Sequence, residues 1–388
     1  MAKRGIKETL LSTLVHGEEV LNNIDVMRRV NRDKISSTPT DSPSKRLHPE
    51  ELSLIVNEII DTQKGAKIFR LVSKDGYLPP FLAGQYINVI FDINGIRTTR
   101  PYSLSSSPKE RSYYEITVAE VKNGFVSDYM LNKVKVGDSL LTSGPSGHFV
   151  YNAAFHKNKS LFLAGGSSIT PFMSMIREIL LSGENRDIVL LYGSRTLSTA
   201  IYHEELLNFA NEFKNFKYQL VLSEKDPNWN EEFGFLDENL IKKYASDYKE
   251  RTAYVSGPNV MHNFCKNTLL NLGLKQKDIR DEVFGNISDV TKEAGWPNEV
   301  KGDEVFKIKI GDKTIDAKAN ESILVALERA GVRVNVCCRS GECSLCRVKL
   351  LNGKVYFAKG MLLRLADQKF NYIHSCKSYP ISDLEIEL

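Results

Sequence analysis

No stretch of the 388 residues approaches the ~20 apolar residues that a membrane-spanning helix requires. The opening segment, MAKRGIKETLLSTLVHGEEV, breaks its apolar positions with charges throughout, so it lacks the continuous apolar run of a secretory signal. Internal repeats and low-complexity runs are absent. Charge of either sign is nearly balanced: 52 Lys plus Arg against 48 Asp plus Glu leave a net +4, and no dense basic stripe appears, which argues against a nucleic-acid partner. These absences point to a cytoplasmic protein without a membrane span. At roughly 100–200 residues per domain the length suggests two to four domains, and an apolar content of 42% is enough for their cores. Cysteine is scarce, with six residues, yet four of them fall within NVCCRSGECSLCRVKL. In a reducing compartment such clustering indicates metal binding or catalysis rather than disulfides.

Spacing narrows the choice. Cys338, Cys343, Cys346 and Cys376 form C-x4-C-x2-C with a distant fourth cysteine, the ligand pattern of a plant-type [2Fe–2S] cluster. Zinc is the structural alternative, but its sites usually pair cysteines on two separate knuckles, whereas three of these crowd into nine residues. The small residues Ser340, Gly341 and Ser344 suit a loop that wraps backbone N–H groups around sulfide. Cys337 and Cys265 break the spacing and are expected to be ordinary buried thiols.

The segments SILVALERAGVRVNVCCRSGECSLCRVKLLNGKV and HSCKSYPISDLEIEL resemble a complete plant-type ferredoxin module, an α+β (β-grasp) domain over residues 305–388, including Tyr379-Pro380 and Ser382-Asp383 after the last ligand. VFKIKI reads as a strand, and ESILVALERAG as a helix with a Gly stop.

Upstream, RTTRPYSLSSSP carries Arg100, Pro101, Tyr102 and Ser103, which resemble the R-x-Y-S flavin motif of the ferredoxin–NADP reductase family. A guanidinium can grip a flavin phosphate, an aromatic ring can lie on the isoalloxazine, and a hydroxyl can reach its N5 edge. FLAGQYINVIF before the motif resembles the F-x-x-G-Q-Y strand of that family. After it, EITVAEVKNGFVSDYML resembles a strand holding Thr117 and Val118, then a turn and helix start of Gly124, Phe125, Val126 and Ser127 that would cradle the pyrophosphate. GPSGHF closes a small antiparallel β-barrel flavin domain over residues 50–152. The family implies FAD rather than FMN.

KSLFLAGGSSITPFMSMIREIL has the strand–turn–helix order of a nucleotide-binding α/β unit. Gly165, Gly166, Thr170 and Pro171 match the family's G-G-x-G-I-T-P turn, with Ser168 in place of its third glycine. Ser194 and Arg195 end one later strand, and Ser256, Gly257 and Pro258 end another, with Ser256 where the family usually has Cys. Asp281 to Gly285 resembles the family's closing Glu-x-Phe through Glu282 and Phe284, or is a plain strand end. Residues 158–285 are therefore expected to be an α/β parallel-sheet NAD(P)-binding domain. Arg195, accompanied by Glu204 and Glu205, offers one cation to a 2′-phosphate, so NADH is expected over NADPH.

The resemblance implies a multidomain NAD(P)H-dependent flavin iron–sulfur oxidoreductase. It would pass a hydride to flavin and single electrons through the cluster to a partner redox protein: an oxygenase, a hydroxylase or another reductively activated enzyme. Tyr102, Ser103 and Ser256 are expected at the reacting rings. The alternatives are a reverse NAD(P)+ reductase and an electron-transfer subunit of a larger complex. Residues 1–49 are expected to be a helical extension and linker, either packed on the flavin domain or acting as a docking arm. Residues 286–304, rich in Gly, Pro and charge, read as a flexible tether. The ferredoxin segment carries fourteen Lys plus Arg against nine Asp plus Glu. Arg339, Arg347, Lys349 and Lys359 either steer an acidic partner or merely solvate the module.

Overall fold

The computed structural model describes Glu18 and residues 45–62, 65–283 and 289–388. Residues up to Glu50 form a separate unit, and the expected N-terminal helix lies outside the described residues. Among the described residues from Glu51 onward there are four sheets, three large and one of two strands.

The first contains β1 (Leu52–Asp61), β2 (Ala66–Ser73), β3 (Tyr86–Ile93), β4 (Ile96–Ser103), β5 (Tyr114–Ala119) and β6 (Ser139–Thr142), ordered 4-3-6-1-2-5. Every pairing in it is antiparallel. A Leu104–Ile116 bridge joins the chain leaving β4 to β5, so the two edge strands meet and the sheet closes on itself. Helix α1 (Phe125–Asn132) contributes Val126 and Met130 to the barrel core beside Phe69, Ile87, Tyr114 and Ile116.

The second sheet, entirely parallel, contains β7 (Lys159–Gly165), β8 (Asp187–Ser194), β9 (Phe216–Leu222), β10 (Glu232–Phe233), β11 (Thr252–Gly257) and β12 (Ile279–Val283). The order 10-9-8-7-11-12 places β7 at the strand-order reversal, where open α/β sheets bind their ligands. β7 reads as a continuous apolar run because both of its faces are covered. Phe162 and Ala164 pack with α2 (Thr170–Leu181) and α3 (His203–Glu212); Leu161 and Leu163 face α4 (Glu238–Tyr244) and α5 (Asn259–Asn271). Ala66, Ala83 and Phe149 of the barrel join the first of these cores, which fixes the barrel against the nucleotide domain.

The third sheet has β13 (Val305–Ile310), β14 (Lys313–Lys318), β15 (Arg347–Asn352), β17 (Tyr372–His374) and β19 (Leu384–Glu387) in the order 14-13-19-15-17. A separate two-stranded antiparallel sheet pairs β16 (Val355–Phe357) with β18 (Ser378–Pro380). Helix α6 (Ile323–Arg329) lays Ile323, Ala326 and Leu327 across the sheet. The helix stops before Gly331, whose φ of +71° few other residues adopt.

The described part of the expected tether is not loose. Val290 is buried with Tyr356, Ala358 and Tyr379, and the Trp296 ring lies 5.2 Å from that of Tyr356. Trp296 Nε1 donates to Val300 O and Tyr356 OH to Ala294 O, so apolar burial outweighs the freedom that Gly and Pro would allow.

Candidate functional site

β4 carries Arg100 to Ser103 along the barrel, paired with β3 so that Tyr102 faces Ile87 and Ser103 faces Tyr86. Ser103 is buried and its hydroxyl has no partner among the described residues. An unsatisfied buried hydroxyl costs free energy unless something else completes it. Burial pushes the Tyr102 phenol up to about 12, so it stays neutral. Arg100 donates to Thr98 Oγ1 at 2.7 Å and to Thr99 O at 2.8 Å. Burial, then the charge of Arg339, lowers its pKa to about 10.

Gly124 begins α1, and a Cβ there would lie 2.1 Å from Ser127 Oγ, so only glycine fits. Phe125 is 42% exposed beside it. Two expected contacts are engaged elsewhere: Thr117 Oγ1 lies 2.6 Å from Tyr202 OH of the nucleotide domain, and Val118 points into the barrel core. A cavity of about 670 Å³ beside α1 is lined by Asp61, Glu120 and Asp128 with Lys67. A diphosphate placed there would face three carboxylates and one ammonium, which disfavours it.

At the β7 end, Gly166 has φ +55° with open space above it, while Thr170 and Pro171 start α2. Thr170 Oγ1 donates back to Ser167 O at 2.7 Å. The space over Gly165 is filled: Met261 of α5 packs there and over Gly257, and a Cβ on either glycine would lie within 3.0 Å of its sulfur. These two glycines therefore admit a methionine rather than a diphosphate, a reason the motif alone did not show. Pro258 leads into α5. Ser256 is fully buried, its hydroxyl likewise lacks a partner, and in register it sits between Ala164 and Glu282. Burial first, then Glu342 and Cys338, raises the Glu282 carboxyl well above its ordinary value. Phe284 lies outside the described residues. Ser194 Oγ lies 2.9 Å from Thr199 Oγ1; Arg195 is exposed with no ion-pair partner among the described residues, and Glu205 is taken up by Arg177.

The cysteine loop gathers Cys337, Cys338 and Cys343 together, with Cys343 beside both of its neighbours, and sets Cys346 beside Cys376. Cys338 Sγ also accepts the backbone N–H groups of Ser340 and Cys343, each at 3.4 Å. The neighbouring Cys343 thiol is the chief cause that lowers the Cys338 thiol below its ordinary value, against burial, which would raise it. No three described His, Cys, Asp or Glu side chains converge for a single metal ion. The donor set of Cys338, Cys343, Cys346 and Cys376, three thiols from one loop and one from a distant return, fits two bridged irons. Gly341 has φ +85°, and a Cβ there would lie 2.9 Å from Lys377 Cγ.

Cys337 is not an ordinary core thiol. Its sulfur lies 3.2 Å from Tyr86 OH, 3.3 Å from Asn88 Nδ2 and 3.7 Å from Ser146 Oγ, all in the flavin barrel. Arg339 is 6% exposed, so it cannot steer a partner. It pairs with Glu328 of α6 and donates to Thr98 Oγ1 at 3.0 Å, while that hydroxyl donates to Glu328 Oε2 at 3.1 Å. The loop is thereby clasped to the two strands that carry the flavin motif. Tyr86, Asn88 and Ser146 lie in stretches read for the flavin barrel, but nothing local marks their contact with Cys337, nor the contacts of Thr98, Glu328 and Met261, because each joins segments distant in sequence. Cys265, by contrast, is buried in the nucleotide domain, as expected.

A flavin cradle, a nucleotide crevice and a dinuclear thiolate loop in one chain define a nicotinamide-dependent flavin iron–sulfur oxidoreductase. The chain matches the Oxidoreductase FAD-binding domain over residues 52–151, the Oxidoreductase NAD-binding domain over 162–267 and the 2Fe-2S iron-sulfur cluster binding domain over 307–380. It belongs to the ferredoxin–NADP reductase family of flavoproteins, in the branch with a C-terminal plant-type ferredoxin module. The glycine betaine monooxygenase reductase subunit of Pseudomonas aeruginosa is 28% identical over 320 residues, covering 79% of this chain and 87% of that protein. The phenol hydroxylase P5 protein of Acinetobacter pittii is 34% identical over 54% of this chain and 59% of its own length. In fold, the chain is similar to phthalate dioxygenase reductase, with a TM-score of 0.67 at 24% identity, covering 91% of this chain and 100% of the other. No helix among the described residues is long and apolar enough to cross a membrane.

Proposed function

We propose that the protein draws electrons from NADH and delivers them one at a time to a partner oxygenase or hydroxylase in the cytoplasm. FAD and a [2Fe–2S] cluster held at these sites would supply the conversion of a two-electron hydride donor into single electrons. The observation that carries this reading is the clasp of the thiolate loop onto β4, which presents Arg100 to Ser103, and onto its neighbour β3.

In this reading Arg100 holds the flavin phosphate and the neutral Tyr102 ring lies against the isoalloxazine. Ser103 spends its unpartnered hydroxyl on the ring edge, and Gly124 lets α1 approach closely. Ser256 faces the nicotinamide side with the other unpartnered hydroxyl, between Ala164 and Glu282, whose carboxyl pKa burial raises. Gly166, Thr170 and Pro171 position the dinucleotide, and Ser194 and Arg195 lie toward its adenosine end. Cys338, Cys343, Cys346 and Cys376 would hold the two irons of the cluster. The names of the monooxygenase and hydroxylase relatives support an oxygenase-type acceptor.

Protein purified anaerobically is expected to hold one flavin and two irons per chain, and NADH is expected to bleach both sets of visible bands. Bleaching of the flavin with no change at the cluster would refute the relay.

A further inference from the structure

One side of the cluster loop is closed by the flavin barrel, through Cys337 against Tyr86 and Asn88 and through Arg339 against Thr98. An electron entering from the flavin must leave by another side. Within the loop, Leu345 stands between two cluster cysteines and is 49% exposed. Beside the loop runs the segment from Lys359 to Phe370, tied to it where Leu362 N–H donates to Gly341 O at 3.1 Å. The segment turns at Gly360 (φ +84°) and ends before Asn371 (φ +59°). Between them α7 (Leu365–Lys369) buries Asp367, which accepts from Arg347 at 3.3 Å.

What this segment presents to solvent is unusual. Leu362, Leu365 and Phe370 are 65%, 84% and 60% exposed. Apolar side chains grouped this way, with charges around them, mark an interaction site. Lys359, Arg364 and Lys369 are exposed among them with no ion-pair partner among the described residues, and Asp367, the segment's one acidic residue, is buried. By contrast, Arg347 and Lys349 have carboxylate partners in Asp367 and Glu387.

We propose that the segment Lys359–Phe370, together with Leu345, is the surface on which the electron acceptor docks, and that it fits a partner face with an apolar centre and a carboxylate rim. The proposal rests on the relay described above. The leucines and Phe370 supply apolar area that is dry only in the complex, and the three cations steer the encounter.

The test uses the holoprotein and two one-electron acceptor proteins of opposite surface charge, acidic cytochrome b5 and basic cytochrome c, with ferricyanide as a small acceptor. The wild type reduces cytochrome b5 faster than cytochrome c at low salt. Its rate with b5 falls steeply between about 0.01 and 0.15 M salt, as the Debye length shrinks from ~30 to ~8 Å. Arg364→Glu with Lys369→Glu lowers the second-order rate with b5 about tenfold or more and raises that with cytochrome c. Leu362→Ser with Leu365→Ser lowers the rate with b5 while retaining its salt dependence. All of these side chains are exposed, so NADH–ferricyanide activity and iron content stay at wild-type levels in both variants. Unchanged b5 rates in both variants, while NADH still bleaches the cluster, overturn the docking surface alone. A Cys343→Ser protein that lacks the cluster yet reduces b5 at the wild-type rate overturns the relay and the docking surface together.

Discussion

Replacing Thr98 by Val keeps the shape of the side chain and removes one hydroxyl, at the point where the ferredoxin module meets the flavin strand. That hydroxyl uses its full capacity: it accepts from Arg100 at 2.7 Å and from Arg339 at 3.0 Å, and donates to Glu328 at 3.1 Å. Hydrogen bonds to charged groups contribute ~1.5–3 kcal/mol each. The low end applies, because Arg100 keeps Thr99 O and the other two partners keep each other. Only the two bonds to Arg339 and Glu328 reach the ferredoxin module, so the expected loss is about 3 kcal/mol, on the order of 100-fold in the equilibrium that holds the cluster loop on the barrel. Stopped-flow mixing with NADH resolves flavin bleaching from cluster bleaching. Thr98→Val should slow the second and spare both the first and ferricyanide reduction, while Thr98→Ser, which restores the hydroxyl, should recover the wild-type rate. A Val variant that fills its cluster as fast as the wild type would show that the clasp does not position the loop.

Cys343→Ser should abolish the iron–sulfur absorption and leave flavin and NADH–dye activity in place, whereas Cys337→Ser and Cys265→Ser should leave iron content unchanged; a normal cluster in Cys343→Ser would sink the ligand assignment. Glu115 is 1% exposed between Arg177 at 2.6 Å and Arg70 at 3.1 Å. Burial alone would raise its pKa, but Arg177, Ser105 and Arg70 together hold it below the usual 4.5. A depressed carboxyl stabilises the fold above its unfolded pKa and loses that contribution as pH falls through its folded value, so acid should weaken the wild type below about pH 4.5. Glu115→Gln, which leaves Arg177 short of a buried counter-charge, should cost ~3–5 kcal/mol at neutral pH in denaturant unfolding, and equal stability of the two proteins would contradict this. NADH should be preferred, because Arg195 is a lone exposed cation and no second basic side chain accompanies it in GSRTLSTAIYHEEL; a kcat/KM advantage of about tenfold for NADPH, ~1.4 kcal/mol, would overturn that preference.

Those features in which residues close in sequence act together could be read directly. The cluster motif is legible because three cysteines must reach the irons from one loop, and their spacing is the geometry itself. Arg100 to Ser103 is legible because one strand presents them, and the apolar run of β7 because a parallel strand is covered on both faces. The tertiary structure decided what depends on segments far apart. It turned Cys337 from a spare thiol into a contact with Tyr86, buried Arg339 against Glu328 and so removed it from the outer surface, and packed the Gly- and Pro-containing tether around Trp296. It also filled the space over Gly165 and Gly257 with Met261. Composition names a tendency of the local chain, while burial beside Tyr86, Thr98 or Met261, or in an apolar pocket, sets the energy that overrides it.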